Sequence, residues 1–290
     1  MVSINRFGGF IDYARIMAGK SEMEKASVSL PAIQSFAGAP RIYFLTGQKF
    51  LYQTLFCIQS LAKISAEKYQ FVLVSDGSFN AQTLSLIRSK LPGADIITDD
   101  IIEKNITRTF PLDRFPNIRR RRLVYPHLKK LTDIHTTSTD SWKVVLDSDM
   151  LFWEYPEQLI KWLKSPVSPI HMVDIEESYG YSKVLMDELC GQDIPLLLNV
   201  GIIGLKSSEI DWNEIEYWIE ILEKKEGTSY YLEQALSAML IAGKETTILE
   251  KESYIVNPSF TEIETKAGTL HHYVDLSKAG YFTKAWKKFI

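Results

Sequence analysis

The stretch that decides the fold is RIYFLTGQKFLYQTLFCIQSLAKISAEKYQFVLVSDG, residues 41–77. It opens with a short apolar run that ends at Gly47. Apolar residues at helical spacing follow, and a second apolar run ends at Asp76-Gly77. Strands that are apolar throughout and alternate with helices are typical of a parallel sheet covered on both faces. The stretch therefore predicts an α/β fold.

The same alternation continues along the chain. A helix with Asn80 as its N-cap and a short strand at 94–98 follow directly. Later segments predict strands at 169–174 and 196–205, and further helices and short strands beyond them. Because no repeat or linker interrupts this order, we expect one domain over residues 41–290. Residues 1–40 predict a helical extension that two prolines end.

Composition excludes several classes of protein. The formal net charge of the 290 residues is -3, which gives no indication of a nucleic-acid partner. The 2 cysteines make no disulfide framework and favour a reducing compartment. We find neither a signal peptide nor an apolar run long enough for a transmembrane segment. The expected location is cytoplasmic.

Polar residues stand where three predicted strands end: Thr46-Gly47, Asp76-Gly77 and Asp147-Ser148-Asp149. In sheets of this kind, ligands bind beyond the carboxyl ends of the strands. If the strand continues through Met150, Asp147 and Asp149 face the same side. Two adjacent carboxylates repel each other, and Mg²⁺ or Mn²⁺ removes that repulsion while sharing its ligand shell with a diphosphate.

The tripeptide Asp-x-Asp is weak evidence by itself, because chance supplies roughly one in 300 residues. Its surroundings strengthen the prediction. Apolar residues precede Asp147, and Met-Leu-Phe-Trp follows Asp149. Carboxylates in such surroundings cost several kcal/mol unless they are paired or bind a metal.

Residues 143–156, KVVLDSDMLFWEYP, resemble the Asp-x-Asp segment of GT-A glycosyltransferases, and most closely the retaining enzymes of family 8. Three later segments are similar to that family's motifs in the same order: LLLNVGIIGL at 196–205, YYLEQAL at 230–236 and HHYVDLSKAGYF at 271–282. The resemblance covers about residues 40–290. It implies a GT-A type, Rossmann-like fold: a mixed, mostly parallel sheet with helices on both faces.

The resemblance also implies a function and a set of site residues. The function is metal-dependent transfer of a sugar, with retention, from a nucleotide-diphosphate sugar, expected to be a UDP-sugar, to an unknown acceptor. The implied ligands of Mn²⁺ or Mg²⁺ are Asp147, Asp149 and His272, and the implied catalytic residues are Asn199, Glu233 and Gln234. The implied nucleotide-sugar-binding residues are Thr46, Gly47, Asp76, Lys130, Asp147, Ser148, Asn199, Gly201 and Lys278.

Some positions depart from the family pattern. Glu233 stands where Asp is usual, and Asp275 replaces a glycine near the diphosphate. The family's arginine before the Asp-x-Asp strand corresponds either to Lys130 or to one of Arg119–Arg122, a run that is typical of a solvated helix face. These departures keep two alternatives open: a GT-A-like protein that binds a nucleotide sugar or scaffolds partners without turnover, and a nucleotidyltransferase. We predict an acceptor-side loop at 177–182.

Overall fold

The computed structural model describes residues 6–137 and 141–290. A seven-stranded sheet lies at its centre, and a three-stranded sheet lies beside it. The strands are β1 Arg41–Thr46, β2 Gln70–Ser75, β3 Asp95–Ile97, β4 Trp142–Leu146, β5 Met150–Phe152, β6 Ile170–Val173, β7 Leu198–Lys206, β8 Thr247–Ile248, β9 Tyr254–Val256 and β10 Leu270–His272.

The large sheet is mixed and mostly parallel, as the sequence predicts. Its strand order is β3-β2-β1-β4-β7-β6-β8. Strands β1 to β4 run in one direction, and β7 runs antiparallel between β4 and β6. Because β7 is reversed, its first residues meet the carboxyl ends of β4 and β6 at one edge of the sheet.

Helices cover the two faces of the large sheet. They are α1 Phe10–Ser27, α2 Leu51–Ile64, α3 Ala81–Lys90, α4 Asp99–Thr109, α5 Pro116–Val124, α6 Lys129–His135, α7 Glu157–Lys164, α8 Lys183–Cys190, α9 Trp212–Glu226, α10 Leu232–Leu240, α11 Phe260–Thr265 and α12 Lys278–Thr283. The basic stretch before β4 is two helices, because Pro126 cannot continue α5. In the part of the chain that the structure describes, no helix combines the length and apolarity needed to cross a membrane.

The two faces of the sheet carry separate apolar layers. Ile42 and Phe44 of β1 point into one layer, and Tyr43 between them points into the other. Each of these side chains is almost fully buried, which contributes roughly 1.5–3 kcal/mol per large apolar side chain. Burial on both faces explains why β1 is apolar at successive positions.

The small sheet brings the end of the chain to the Asp-x-Asp segment. The condition that would put Asp147 and Asp149 on one side of a continuous strand is not met: β4 ends at Leu146, and Met150 opens β5 in the small sheet. There β5 pairs antiparallel with β10, so that His272 lies opposite Met150. The backbone N–H of Tyr273 donates to the carbonyl of Asp149 at 2.9 Å. This register places His272 beside the aspartates.

The N-terminal residues pack closely against the rest of the structure. Helix α1 lies on α12, and a side chain on Gly19 would overlap the carbonyl oxygen of Phe282. The segment after α1 is tied to the sheet, because Ser35 Oγ accepts the N–H of Phe71 at 2.9 Å. The division into an extension at 1–40 and a domain at 41–290 stays a prediction.

Candidate active site

A cavity of about 470 Å³ opens at the edge of the sheet where β4, β6 and β7 meet. Its volume lies within the range of small-molecule sites. Its wall includes Asp147 and Asp149 after β4, Asp174 after β6, and Asn199 of β7. The carboxyl ends of β4 and β6, together with the first residues of the reversed β7, thus supply the site, as expected for an open α/β sheet.

Asp147, Asp149 and His272 converge in this cavity. The Nε2 atom of His272 lies 3.5 Å from Oδ2 of Asp147 and 3.5 Å from Oδ1 of Asp149. One potential ligand atom from each residue lies within 4.8 Å of the others. Nε2 is buried and has no close hydrogen-bond partner among the described residues. A ring nitrogen that faces two carboxylates at this distance fits a divalent cation with mixed nitrogen and oxygen ligands.

The tautomer of His272 follows from the amide of Asn199. The Nδ2 group of Asn199 donates to Oδ2 of Asp174 at 3.0 Å, and its Oδ1 accepts the N–H of Gly201 at 2.9 Å. A carboxylate only accepts and a backbone N–H only donates, so these two bonds fix the amide orientation. His272 Nδ1, 3.1 Å from the same Oδ1, must therefore carry a proton. Its Nε2 is the atom left for a cation or a second proton.

The electrostatics of the cluster favour a positive charge between the two carboxylates. Burial lowers the pKa of His272, but its contacts with Asp147 and Asp149 outweigh burial and raise that pKa to about 9. Burial raises the pKa of Asp149, but Lys278 and His272 outweigh it and hold that pKa below its usual value. A divalent cation at this position would take the place of the second imidazole proton.

Two lysines complete the charged part of the site. Lys278 Nζ, at the start of α12, lies 3.0 Å from Oδ2 of Asp149. Lys130 Nζ, in α6, lies 3.0 Å from Asp147 Oδ1 and 3.3 Å from Glu233 Oε2. Burial lowers the pKa of Lys130, but these two carboxylates outweigh it and raise the pKa above its ordinary value. Lys130 is therefore a buried, charged lysine in the cavity wall.

The arginine run lies in α5 and makes its contacts elsewhere. Arg121 pairs with Glu223, and Arg122 pairs with Asp133 at 2.6 Å. The expected solvated helix face is wrong for Arg122, whose side chain is buried. A buried guanidinium needs a carboxylate partner, and Asp133 supplies it.

Glu233 and Gln234 enter the cavity from the first turn of α10. Burial raises the pKa of Glu233 to about 7 against the opposing effect of Lys130. Its Oε1 is buried without a hydrogen-bond partner among the described residues. Gln234 Nε2 donates to Oδ2 of Asp174 at 3.2 Å.

Asp174 is a residue of the site that the sequence motifs do not predict. This residue accepts hydrogen bonds from both Asn199 and Gln234, and so it fixes two of the predicted catalytic amides. The signal was present, because Asp174 closes the predicted strand at 169–174 as the other acids close theirs.

Five predicted residues lie outside the wall of this cavity: Thr46, Gly47, Asp76, Ser148 and Gly201. The hydroxyl of Thr54 links two of them, at 2.8 Å from Thr46 Oγ1 and 2.8 Å from Ser148 Oγ. Gly47 packs on the carboxylate of Asp76, which accepts the N–H of Ser78 at 3.0 Å. The predicted role of Thr46, Gly47 and Asp76 toward the nucleotide stays a prediction.

Gly201 acts on the site through His272. A Cβ added at Gly201 would overlap the imidazole ring and approach Asn199 Oδ1 to 2.9 Å. The missing side chain is thus what leaves room for the His272 ring.

Solved structures share this architecture. No family model matches the sequence, and no curated protein matches it. The chain is similar to mouse xyloside xylosyltransferase 1, with a TM-score of 0.54 and 10% identity over 83% of this chain and 97% of that one. It is also similar to the galactosyltransferase LgtC in complex with donor and acceptor sugar analogs, with a TM-score of 0.53 and 14% identity over 86% and 95%. The GT-A fold predicted from the sequence is confirmed.

Proposed function

We propose that this chain is a metal-dependent glycosyltransferase that moves a sugar from a nucleoside-diphosphate sugar, with UDP as the expected nucleotide, to an acceptor. The observation that carries the proposal is the convergence of His272 Nε2 with the carboxylates of Asp147 and Asp149, each at 3.5 Å, where the strands of a GT-A sheet end. The names of the similar structures, a xylosyltransferase and a galactosyltransferase, support the same reaction class.

The charged half of the cavity suits the leaving diphosphate. Asp147, Asp149 and His272 would hold Mn²⁺ or Mg²⁺, which when bound neutralises negative charge on the departing oxygens. Lys278 adds a flexible ammonium beside Asp149 and can turn from that carboxylate to a phosphate oxygen. The positive charge of Lys130, beside Asp147, keeps that carboxylate ionised and able to bind the metal.

The amide half of the cavity suits the sugar. Asp174 fixes the directions of the amides of Asn199 and Gln234. The oxygen of Asn199 is taken by Gly201 N–H and His272, so Gln234 is the amide proposed to face the sugar. Fixed dipoles can stabilise positive charge that develops on the anomeric carbon without reorganising during the reaction. Glu233 lies beside them as a carboxylate whose pKa of about 7 allows it to hold or release a proton at neutral pH.

The acceptor would enter from the side that faces the loop after β6. Glu176 and Ser178 of that loop line the cavity, and the predicted acceptor loop at 177–182 includes Ser178. Membership of family 8 and retention of the anomeric configuration belong to this proposal, and both follow from the motif resemblance.

The test is titration of the chain with UDP in the presence and absence of Mn²⁺, followed by UDP release from a panel of UDP-sugars. We expect metal-dependent UDP binding and slow hydrolysis of at least one donor. Asp149→Asn should abolish the metal dependence, whereas Asp100→Asn on the exposed surface of α4 should leave it unchanged.

Each outcome separates a different alternative. Equal UDP affinity in the presence and absence of Mn²⁺, or no UDP binding at all, contradicts the proposed metal-dependent glycosyltransferase. Metal-dependent UDP binding without release from any donor would instead indicate a nucleotide-sugar-binding protein.

A further inference from the structure

The segment at residues 6–9, just before helix α1, contributes a positively charged side chain to the wall of the cavity. Arg6 lines it together with Asp149, His272 and Lys278. The guanidinium Nη2 of Arg6 lies 2.5 Å from Oδ1 of Asp275. Arg6 therefore reaches the charged half of the site, although more than a hundred residues separate it from the Asp-x-Asp segment.

Helix α1 holds the segment against the element that carries Lys278. Gly19 lets the backbone of α1 approach the carbonyl of Phe282 in α12. Glu22 of α1 also pairs with Lys287 at 2.7 Å. Because Lys278 begins α12, the packing of α1 on α12 brings the segment before α1 to the side of the cavity that carries Lys278.

Asp275 has an unusual backbone conformation. Its φ is 47°, in the left-handed region that Asp and Asn tolerate better than other residues with side chains. The Arg6–Asp275 pair is partly exposed, with 58% and 38% of the two side chains accessible. Exposed pairs contribute about 0–1 kcal/mol, so stability alone is a weak reason for this arrangement.

The charge balance of the site leaves a place for a second cation. A divalent cation would balance the carboxylates of Asp147 and Asp149, Lys130 would balance Glu233, and Lys278 would meet one charge of a bound diphosphate. A diphosphate has further anionic oxygens. A guanidinium with five N–H groups in a planar fork suits two of them at once.

We propose that Arg6 is a substrate-binding residue that takes up phosphate oxygens of the nucleoside-diphosphate donor, with Asp275 as its partner in the ligand-free site. This inference rests on the proposed function. It assigns to Arg6 a direct part in the donor site, and it makes Asp275 the partner that Arg6 leaves when the diphosphate binds.

The experiment measures binding of UDP and of inorganic pyrophosphate to the whole chain in saturating Mn²⁺. Arg6→Gln should weaken both about tenfold or more, as expected for the loss of hydrogen bonds to a charged group. Asp275→Asn keeps a residue that tolerates the left-handed backbone and frees Arg6, so binding should be equal or tighter. The double variant should bind as weakly as Arg6→Gln.

Other outcomes overturn the inference. If Arg6→Gln binds both ligands like the wild type, Arg6 does not contact the diphosphate. If both single variants lower the melting temperature alike and leave affinity unchanged, the pair is only a surface ion pair. A wild type that binds pyrophosphate but not UDP contradicts the nucleotide donor, while the pyrophosphate measurement still tests Arg6. Binding of neither ligand contradicts both proposals.

Discussion

The Nδ1 atom of His272 lies 3.1 Å from Oδ1 of Asn199, a residue 73 positions earlier in the chain. Since Asp174 and the N–H of Gly201 fix the amide of Asn199, its oxygen can only accept from the imidazole. The contact therefore sets the tautomer that leaves Nε2 facing Asp147 and Asp149. A residue predicted to act on the sugar thus also prepares the proposed metal ligand.

Asn199→Ala should weaken Mn²⁺ binding about 10–100-fold, because partners that orient a metal-binding histidine have effects of this size. Asn199 is buried and bonded to Asp174 and Gly201, so the variant should also lose stability, and both proteins are compared at a temperature where they are folded. Mn²⁺ titration by calorimetry measures the effect, and Asn213→Ala in the first turn of α9 is the control. Unchanged Mn²⁺ affinity in Asn199→Ala would show that the amide does not orient His272.

The sequence predicts the sheet well because the spacing of apolar residues, and hence which of them are buried, determines which segments form strands and helices. Residues 41–77 show strand, helix and strand through apolar spacing alone, and the structure has all three. Ligands of such sheets bind beyond the carboxyl ends of the strands. This rule predicts that Asp147 and Asp149 belong to a site without any knowledge of long-range contacts. Only the motif resemblance predicts His272 as a metal ligand, because no local pattern distinguishes it from His271.

The remaining parts of the site depend on contacts between distant segments. The sequence does not predict that β4 and β5 are separate strands, because apolar residues continue on both sides of the aspartates. The choice of Lys130 over the arginines depends on which carboxylates face each cation in space. The rule that predicts Asp147 and Asp149, applied to every acidic residue at the end of a predicted strand, also predicts Asp174 as a site residue.

Lys130→Met should destabilise the fold by about 3–5 kcal/mol, because it leaves the carboxylates of Asp147 and Glu233 without their buried cation. Urea unfolding at neutral pH measures this. Lys130→Met combined with Glu233→Gln removes the carboxyl group that has lost its cation and should recover part of the loss. If the double variant is no more stable than Lys130→Met, the loss does not come from Glu233.

Protonation of His135 should make the fold less stable in acid. Burial, helped by the charge of Lys143, lowers the pKa of this histidine to about 3, whereas an unfolded histidine titrates near its ordinary value of 6.5. Between these values the unfolded chain binds more protons. Stability is therefore unaffected by His135 above about pH 6.5, and falls by up to about 1.4 kcal/mol per pH unit below it.

The measurement compares urea unfolding of the wild type and His135→Asn from pH 4 to pH 7. The asparagine can still bond to Ser207, which lies 2.9 Å from His135 Nδ1. The variant should lose stability less steeply with acid than the wild type, whatever its stability at pH 7. Parallel pH profiles for the two proteins would contradict the assignment.

Gly201→Ala should impair Mn²⁺ binding by displacing His272, since the added methyl group would overlap the imidazole ring. Gly204→Ala, three residues along β7, is the matched control: its methyl group would overlap Ile170 and Trp162 in the core instead. Both changes overpack the chain and should each cost roughly 1–3 kcal/mol of unfolding free energy. Only Gly201→Ala should also lower Mn²⁺ affinity, by at least tenfold in calorimetric titration at a temperature where both variants are folded. Equal Mn²⁺ affinities in the two variants would mean that the space at Gly201 is needed for packing of the strand and not for the position of His272.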